Sequence, residues 1–379
     1  MMLLAAWGVG QGELFLPNIL APCMTDKPDL NDIAEPEIPK GSTPINRRNL
    51  LIGGAAAAGL AGVGGYAALR PQDLPRNAKG QRKLTLAWNA NAICLAPALL
   101  AKEYGIYDRF GLDVELLNFS GSTDQLLEAI STGKADAGVG MILRWIKPLE
   151  QGFDVKLIAG THGGCIRVLG SRRQGITDDI GSLKGKTIGL SDISGAGRNA
   201  LAVLLKYNGL DPNRDVEWKA FPAPLLAQAV KKGEIQAFAD SDPIAYVLQK
   251  ESGGDLVEVL SNLSKPWDNR VCCVLGASGS LVRDDRESAV ALSKSLVAAA
   301  SLCSVQPETV AKVFAPYAKA SVEDLVAVLH TQTHNHHPVG RDLHREVALY
   351  AGELRDVGVM MPNTVPDVFA SKVVDTLDA

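Results

Sequence analysis

Two well-separated stretches of this chain carry the same signals in the same order. TLAWNANAICLAPALLAKEYGI begins at Thr85, and TIGLSDISGAGRNALAVLLKYNGL begins at Thr187. Each is a short apolar run, a loop of small polar residues, and an amphipathic stretch that stops at Gly-Ile or Gly-Leu. A second pair follows in step, LLEAISTGKADAGV from Leu126 and LAQAVKKGEIQAFA from Leu226. The period is far too long for a solenoid, so the chain reads as two similar α/β halves. Candidate strands fall at 84–89, 113–120, 135–141, 155–161, 187–192, 216–222 and 237–242, with helical stretches at 96–110, 123–133, 196–209 and 224–233. Strands alternating with helices at this spacing imply mostly parallel sheets with crossover helices. Ligands on such sheets sit at the carboxyl ends of the strands. From Asp284 the pattern turns helical, with Val290, Leu292, Leu296 and Val297 at helical spacing.

The first 80 residues do not belong to that pattern. Asn46-Arg47-Arg48-Asn49-Leu50-Leu51-Ile52 precedes a Gly/Ala-rich apolar stretch reaching about Leu69. Paired arginines before a weakly hydrophobic segment form a twin-arginine export signal. An uncleaved anchor is the alternative, since about 20 apolar residues just cross a bilayer. The polar lead after Met24 has no periodicity, which makes Met24 an alternative start to Met1. The expected organisation is 1–80 lead, signal and linker; 81–165 the first part of lobe 1; 166–273 lobe 2; and 274–379 a return to lobe 1 with a helical tail. The 46% hydrophobic and 21% charged composition describes a globular chain. A net charge of −4 with 5% aromatics argues against a nucleic-acid partner.

Several phrases, in order, resemble periplasmic substrate-binding proteins of the nitrate/sulfonate/taurine class of ABC transporters. They are LLAKEYGIYDRFGLDVELLNFSGSTDQLLEAISTGKADAGVG, QGFDVKLIAG, IGSLKGKTIGL, LLKYNGLDPNRDVEW, AVKKGEIQAFADSDPIAY and HHPVGRDLHREVALYAGELRDVGVM. The resemblance covers about 83–375. It implies a two-lobed type II periplasmic-binding-protein fold, with the ligand between the lobes and a membrane permease and ATPase as partners. A periplasmic monomer without cofactor or metal is expected. Gln236 stands where this family often has Asp, and is expected to act in structure more than in binding.

Candidate ligand contacts follow from the strand ends. Ser120, Ser122 and Thr123 open a helix, where free backbone N–H groups and hydroxyls cradle anions. Ser191, Ser194 and Arg198 occupy the equivalent loop of lobe 2, with Gly195 and Gly197 permitting close backbone approach. Trp88 is an aromatic wall beside Asn89, and Met141 ends a strand. His162 precedes Gly163-Gly164, a hinge candidate. Asp242 and Asp240 share a strand face by alternation and favour an ammonium-bearing ligand; alternatively Asp240 turns away and Asp242 caps the next helix. The ligand expected is a small polar anion or zwitterion.

Two further groups of residues, histidines and cysteines, stand out in the sequence. His330 and His334 are four apart and resemble a metal pair, but a helix-end cluster packing the tail on lobe 1 accounts for them and for His336, His337 and His344. The six cysteines are too sparse for a disulfide scaffold, and Cys272-Cys273 read as small buried residues. The rival to a binding protein is an enzyme on the same scaffold, desulfinase-like, with Cys94 as nucleophile. A ligand sensor for a membrane receptor is the third reading. No G-x-S-x-G, H-E-x-x-H or P-loop occurs.

Overall fold

The computed structural model describes residues 74–377 except Asn91, 120–122 and Pro266. The described residues belong to one compact unit. The Arg47-Arg48 signal, its apolar stretch and both candidate starts lie outside the described residues, as do Ser120 and Ser122.

Two five-stranded sheets organise this body. The first contains β1 (Arg82–Trp88), β2 (Leu112–Asn118), β3 (Ala137–Met141), β4 (Val155–His162) and β10 (Cys273–Ser278), in the order β2-β1-β3-β10-β4. The second contains β5 (Ile166–Ser171), β6 (Lys186–Leu190), β7 (Val216–Ala220), β8 (Ala237–Ser241) and β9 (Leu256–Ser261), in the order β7-β6-β8-β5-β9. Within this two-lobed architecture each sheet is mostly parallel, four strands running one way and one against them. β1 pairs in parallel with β2 and β3, while β10 runs antiparallel to β3 and β4. The second sheet repeats this arrangement, with β5 as its antiparallel member. The chain passes from one sheet to the other at 163–165 and returns at 262–272.

Helices cover the sheets as the apolar spacing requires. In the first half α1 (Ala96–Glu103) and the short α2 (Ile106–Arg109) replace the single helix expected over 96–110. Gly105 lies between them with φ +58, a conformation glycine adopts freely. They are followed by α3 (Thr123–Ser131) and α4 (Ile142–Glu150). The second half carries α5 (Ala196–Tyr207), α6 (Leu226–Lys231) and α7 (Ile244–Glu251). The tail is helical: α8 (Gly279–Asp284), α9 (Arg286–Val305), α10 (Pro307–Phe314), α11 (Val322–Thr331), α12 (Gly340–Asp356) and α13 (Pro366–Val373). α9 is long and apolar enough to cross a membrane, but half of its apolar window is buried, and Leu292, Leu296 and Ala299 join the core of the first half. The second half has separate apolar clusters, one around Val168, Ile188 and Leu201 and one around Leu169, Leu226 and Phe238.

The internal repeat extends to individual hydrogen bonds. Asp136 Oδ2 accepts the Thr85 backbone N–H at 2.7 Å; at the matching place Gln236 Oε1 accepts that of Thr187 at 2.9 Å. An acceptor is needed there, and the amide of Gln236 supplies one without a charge. Gln236 also donates through Nε2 to Gln174 Oε1 and the Gly233 carbonyl.

The crossover glycines are explained by crowding. Neither Gly163 nor Gly164 has positive φ. A Cβ on Gly163 would lie 2.4 Å from Thr333, and one on Gly164 only 2.2 Å from the Asn262 carbonyl oxygen. Gly164 therefore marks where the two crossovers touch. Close approach accounts for glycine at both positions of the hinge candidate.

Candidate functional site

The carboxyl ends of β1, β3, β6 and β8 converge on one place. A cavity of about 450 Å³ opens there between the halves. The first sheet contributes Asn89, just past β1, and Met141, the last residue of β3. Arg144, in the first turn of α4, reaches the same space. The second sheet contributes Ser191 and Asp192 past β6, and Asp240 and Ser241 at the end of β8. Gly195, Ala196 and Gly197 close the wall with the first turn of α5. The N–H groups of a first helical turn have no partner within the helix and carry its positive dipole end. A side chain at Gly195 would crowd Asp192, at 3.0 Å, so the turn approaches as closely as it does because it is bare.

Charge in the cavity is divided. Arg144, 7% exposed, pairs with Asp192 across the gap at 3.1 Å. Asn199 of α5 donates to the Leu143 carbonyl at 2.8 Å, a second link between the halves. Opposite stands Asp240, 9% exposed, whose Oδ1 accepts from the Ser241 N–H. Its Oδ2 is buried and accepts no hydrogen bond. Burial, reinforced by the charge of Asp242, pushes its carboxyl up to about 6. A buried carboxylate oxygen in this state calls for a hydrogen-bond donor.

Asp242 has a different setting. It is fully buried, receives Arg167 Nε at 3.0 Å on both oxygens, and accepts from the Tyr246 N–H at the start of α7. Arg167 also donates to Glu258 at 2.7 Å and Thr331 at 2.8 Å, so Asp242 belongs to a network joining β5, β8, β9 and α11. Alternation along β8 does not carry both carboxylates to the cavity, because Asp242 lies past the strand's last residue, Ser241.

The other expected residues divide in the same way. Asn89, Met141 and Ser191 line the cavity. Ser194 and Arg198 line a neighbouring cavity that Arg144 also borders. There Arg198 lies over the Trp218 ring at 5.4 Å and reaches Asn213. Trp88 is 2% exposed and packs edge-on against Tyr317 at 5.6 Å. Thr123 begins α3. His162 is buried, donates to the Gly163 carbonyl through Nδ1, and meets His334 edge-on at 5.3 Å. Burial, with His334 beside it, pushes its imidazole down to about 3, so it stays neutral. Cys94 is 0% exposed and stands behind the lining residues Ala92 and Leu95. Arg144, Asp192 and Ser241 line the cavity without being among the candidates; Asp192 and Ser241 carry the signal of a strand end, and Arg144 carries none.

The tail histidines act separately. α11 ends at Thr331, so His334 lies beyond the helix that carries His330. His334 contacts the Leu329 carbonyl, His336 pairs with Glu346, and His344 meets Ser371. Among the described residues no group of three or more His, Cys, Asp or Glu side chains is placed to hold a metal ion.

A model of the NMT1-like family matches residues 77–316. The chain belongs to that family. Curated relatives include a 4-amino-5-hydroxymethyl-2-methylpyrimidine phosphate synthase of Saccharomyces cerevisiae, 32% identical over 31% of this chain and 34% of that protein. Another is the nitrate import ATP-binding protein of Synechococcus elongatus, 27% identical over 55% of this chain and 33% of that protein. The chain spans about a third of the length of these relatives. Among solved structures, the alkanesulfonate-binding protein of Xanthomonas axonopodis bound to MOPS has a TM-score of 0.64 at 16% identity, covering 78% of this chain and 98% of that one. The periplasmic nitrate-binding protein of Synechocystis has a TM-score of 0.64 at 16% identity, covering 78% and 86%. This member of the NMT1-like family therefore has the fold of ABC-type solute-binding proteins.

Proposed function

We propose that the protein is an exported solute-binding protein that captures a small polar zwitterion or anion between its halves and delivers it to an ABC importer. The observation that carries the ligand class is Asp240, a lining residue with an unpartnered carboxylate oxygen, in the same cavity as Arg144 and the first turn of α5. An inorganic anion answers only the cationic side. A ligand with both an anionic group and an amine answers both. The fold and the family support capture and delivery; Arg47-Arg48 supports export to the periplasm, with permease and ATPase subunits as partners and a monomer as the working form. Thr123, Ser120 and Ser122 are proposed to complete the first half's side, with Ser194 and Arg198 at its outer edge.

Thermal-shift screening against taurine, alkanesulfonates, nitrate, bicarbonate and aminopyrimidines tests this. Taurine or another amine-bearing compound is expected to raise the Tm and to bind more tightly as pH rises through about 6, where Asp240 ionises. Failure of every compound to shift the Tm would sink the reading.

The pyrimidine phosphate synthase relatives favour a second reading, chemistry on the same scaffold. It requires that a bound substrate be converted to product, and in the desulfinase-like version a Cys94→Ala change would abolish that turnover. A binding protein would return the ligand unchanged.

A further inference from the structure

Four cysteines converge beneath the cavity floor. Cys94 lies in the turn leading into α1, Cys165 ends the first crossover, and Cys272 and Cys273 stand where the second crossover enters β10. Their exposures run from 0% to 3%, and all four are free thiols. Cys165 Sγ donates to Cys94 Sγ at 3.4 Å and lies 3.8 Å from Cys272 Sγ. A shift in strand register between Cys273 and Val274 accompanies the crowding. Cys303, the remaining described cysteine, sits apart in α9.

We propose that Cys94 and Cys165 form a dithiol redox site that closes to a disulfide by exchange with a small oxidised disulfide. The Cys94 thiolate attacks one sulfur of that disulfide, and the other leaves as a thiolate that takes up a proton. Cys165 then loses its proton and attacks Cys94 Sγ, releasing the second reagent sulfur as a thiol. Two protein thiols are oxidised and one disulfide is reduced to two thiols. Cys94 is the first nucleophile because it is the acceptor of the pair: hydrogen bonds from Cys165 and then Cys273 hold its thiol down at about 6. The bond would close a loop with ends 71 positions apart and tie the first half's turn to the strand entering the second sheet. Ala92 and Leu95 cover the thiols from the cavity side, so exchange proceeds through locally opened forms.

The test equilibrates the full chain with oxidised glutathione, both as folded protein and during refolding, then blocks residual thiols and maps the digest by mass spectrometry. Two protein thiols are expected to be lost, with a mass lower by two hydrogens and one peptide pair joining Cys94 to Cys165. The oxidised form should melt about 5 °C higher. Cys303→Ser should retain the cross-link and Cys94→Ala should lose it; Cys165→Ala gives the same answer if Cys94→Ala does not fold. Complete alkylation of both cysteines in both arms, or a cross-link mapping only to Cys272 or Cys273, overturns the proposal.

Discussion

Replacing Asp240 by Asn should stabilise the ligand-free protein while removing its hold on an amine. The carboxyl titrates near 3.8 when unfolded and near 6 in the folded protein, because burial disfavours its charge. A carboxyl raised in this way binds its proton more tightly in the native state, so its contribution is greatest below about 3.8 and is lost as pH rises through about 6. At neutral pH the ionised group therefore costs about 3 kcal/mol. The substituted amide would keep the oxygen that accepts the Ser241 N–H and would remain neutral at every pH. The gain should be about 2–3 kcal/mol near pH 7.5, or about 4 °C in Tm for a body of this size, shrinking toward zero near pH 4. Urea denaturation of both proteins across this range reads the difference directly. Titration calorimetry with taurine, or with the amine-bearing compound that shifts the Tm, reads the loss of affinity. A variant less stable than the parent near pH 7.5, or one whose advantage does not shrink on acidification, would refute the reasoning.

Three other outcomes are expected. Arg167→Met strands Asp242 without its counter-charge and should cost about 3–5 kcal/mol near neutral pH, with a smaller loss near pH 5 where Asp242 takes up a proton, measured by urea denaturation. Gly164→Ala drives a Cβ into the Asn262 carbonyl and should cost about 1–3 kcal/mol in the same assay, whereas Gly352→Ala, in α12 with its Cβ 3.6 Å from Pro366, should be close to neutral. Arg144→Gln should weaken binding of the anionic group about tenfold or more in calorimetry while leaving the Tm within a few degrees, since its Asp192 partner is 37% exposed.

Seven strands were legible in the sequence because each is followed by a helix or closes a strand–helix unit. β5, β9 and β10 were not. β5 and β10 are buried along their whole length, so no alternation marks them, and they run antiparallel beside the crossovers, outside the repeating rhythm. At the site, Asn89, Met141 and Ser191 were legible because carboxyl ends of parallel strands are where ligands collect. Arg144 was not, since a cation in the first turn of an amphipathic helix looks like any solvated residue. Asp240 and Asp242 were recognised as a pair, but spacing alone could not say that the strand ends between them and sends one carboxylate to the cavity and the other to Arg167.

The hydrogen bonds of Asp136 and Gln236 fix a common frame for both halves, and that frame makes the cavity a surface read twice. Counting from these anchors, Asn89 corresponds to Ser191, Met141 to Ser241, Arg144 to Ile244, and Gly140 to Asp240. The backbone offers the ligand the same positions from two sides, and the side chains break the symmetry. At the last of these pairs one half is bare and the other charged. Bareness at Gly140 is enforced by Trp145, whose ring would lie 2.4 Å from any Cβ there. Polarity in this protein is thus assigned to a half by packing behind the cavity, and a new ligand preference can arise by relocating a charge between matched positions only where that packing leaves room.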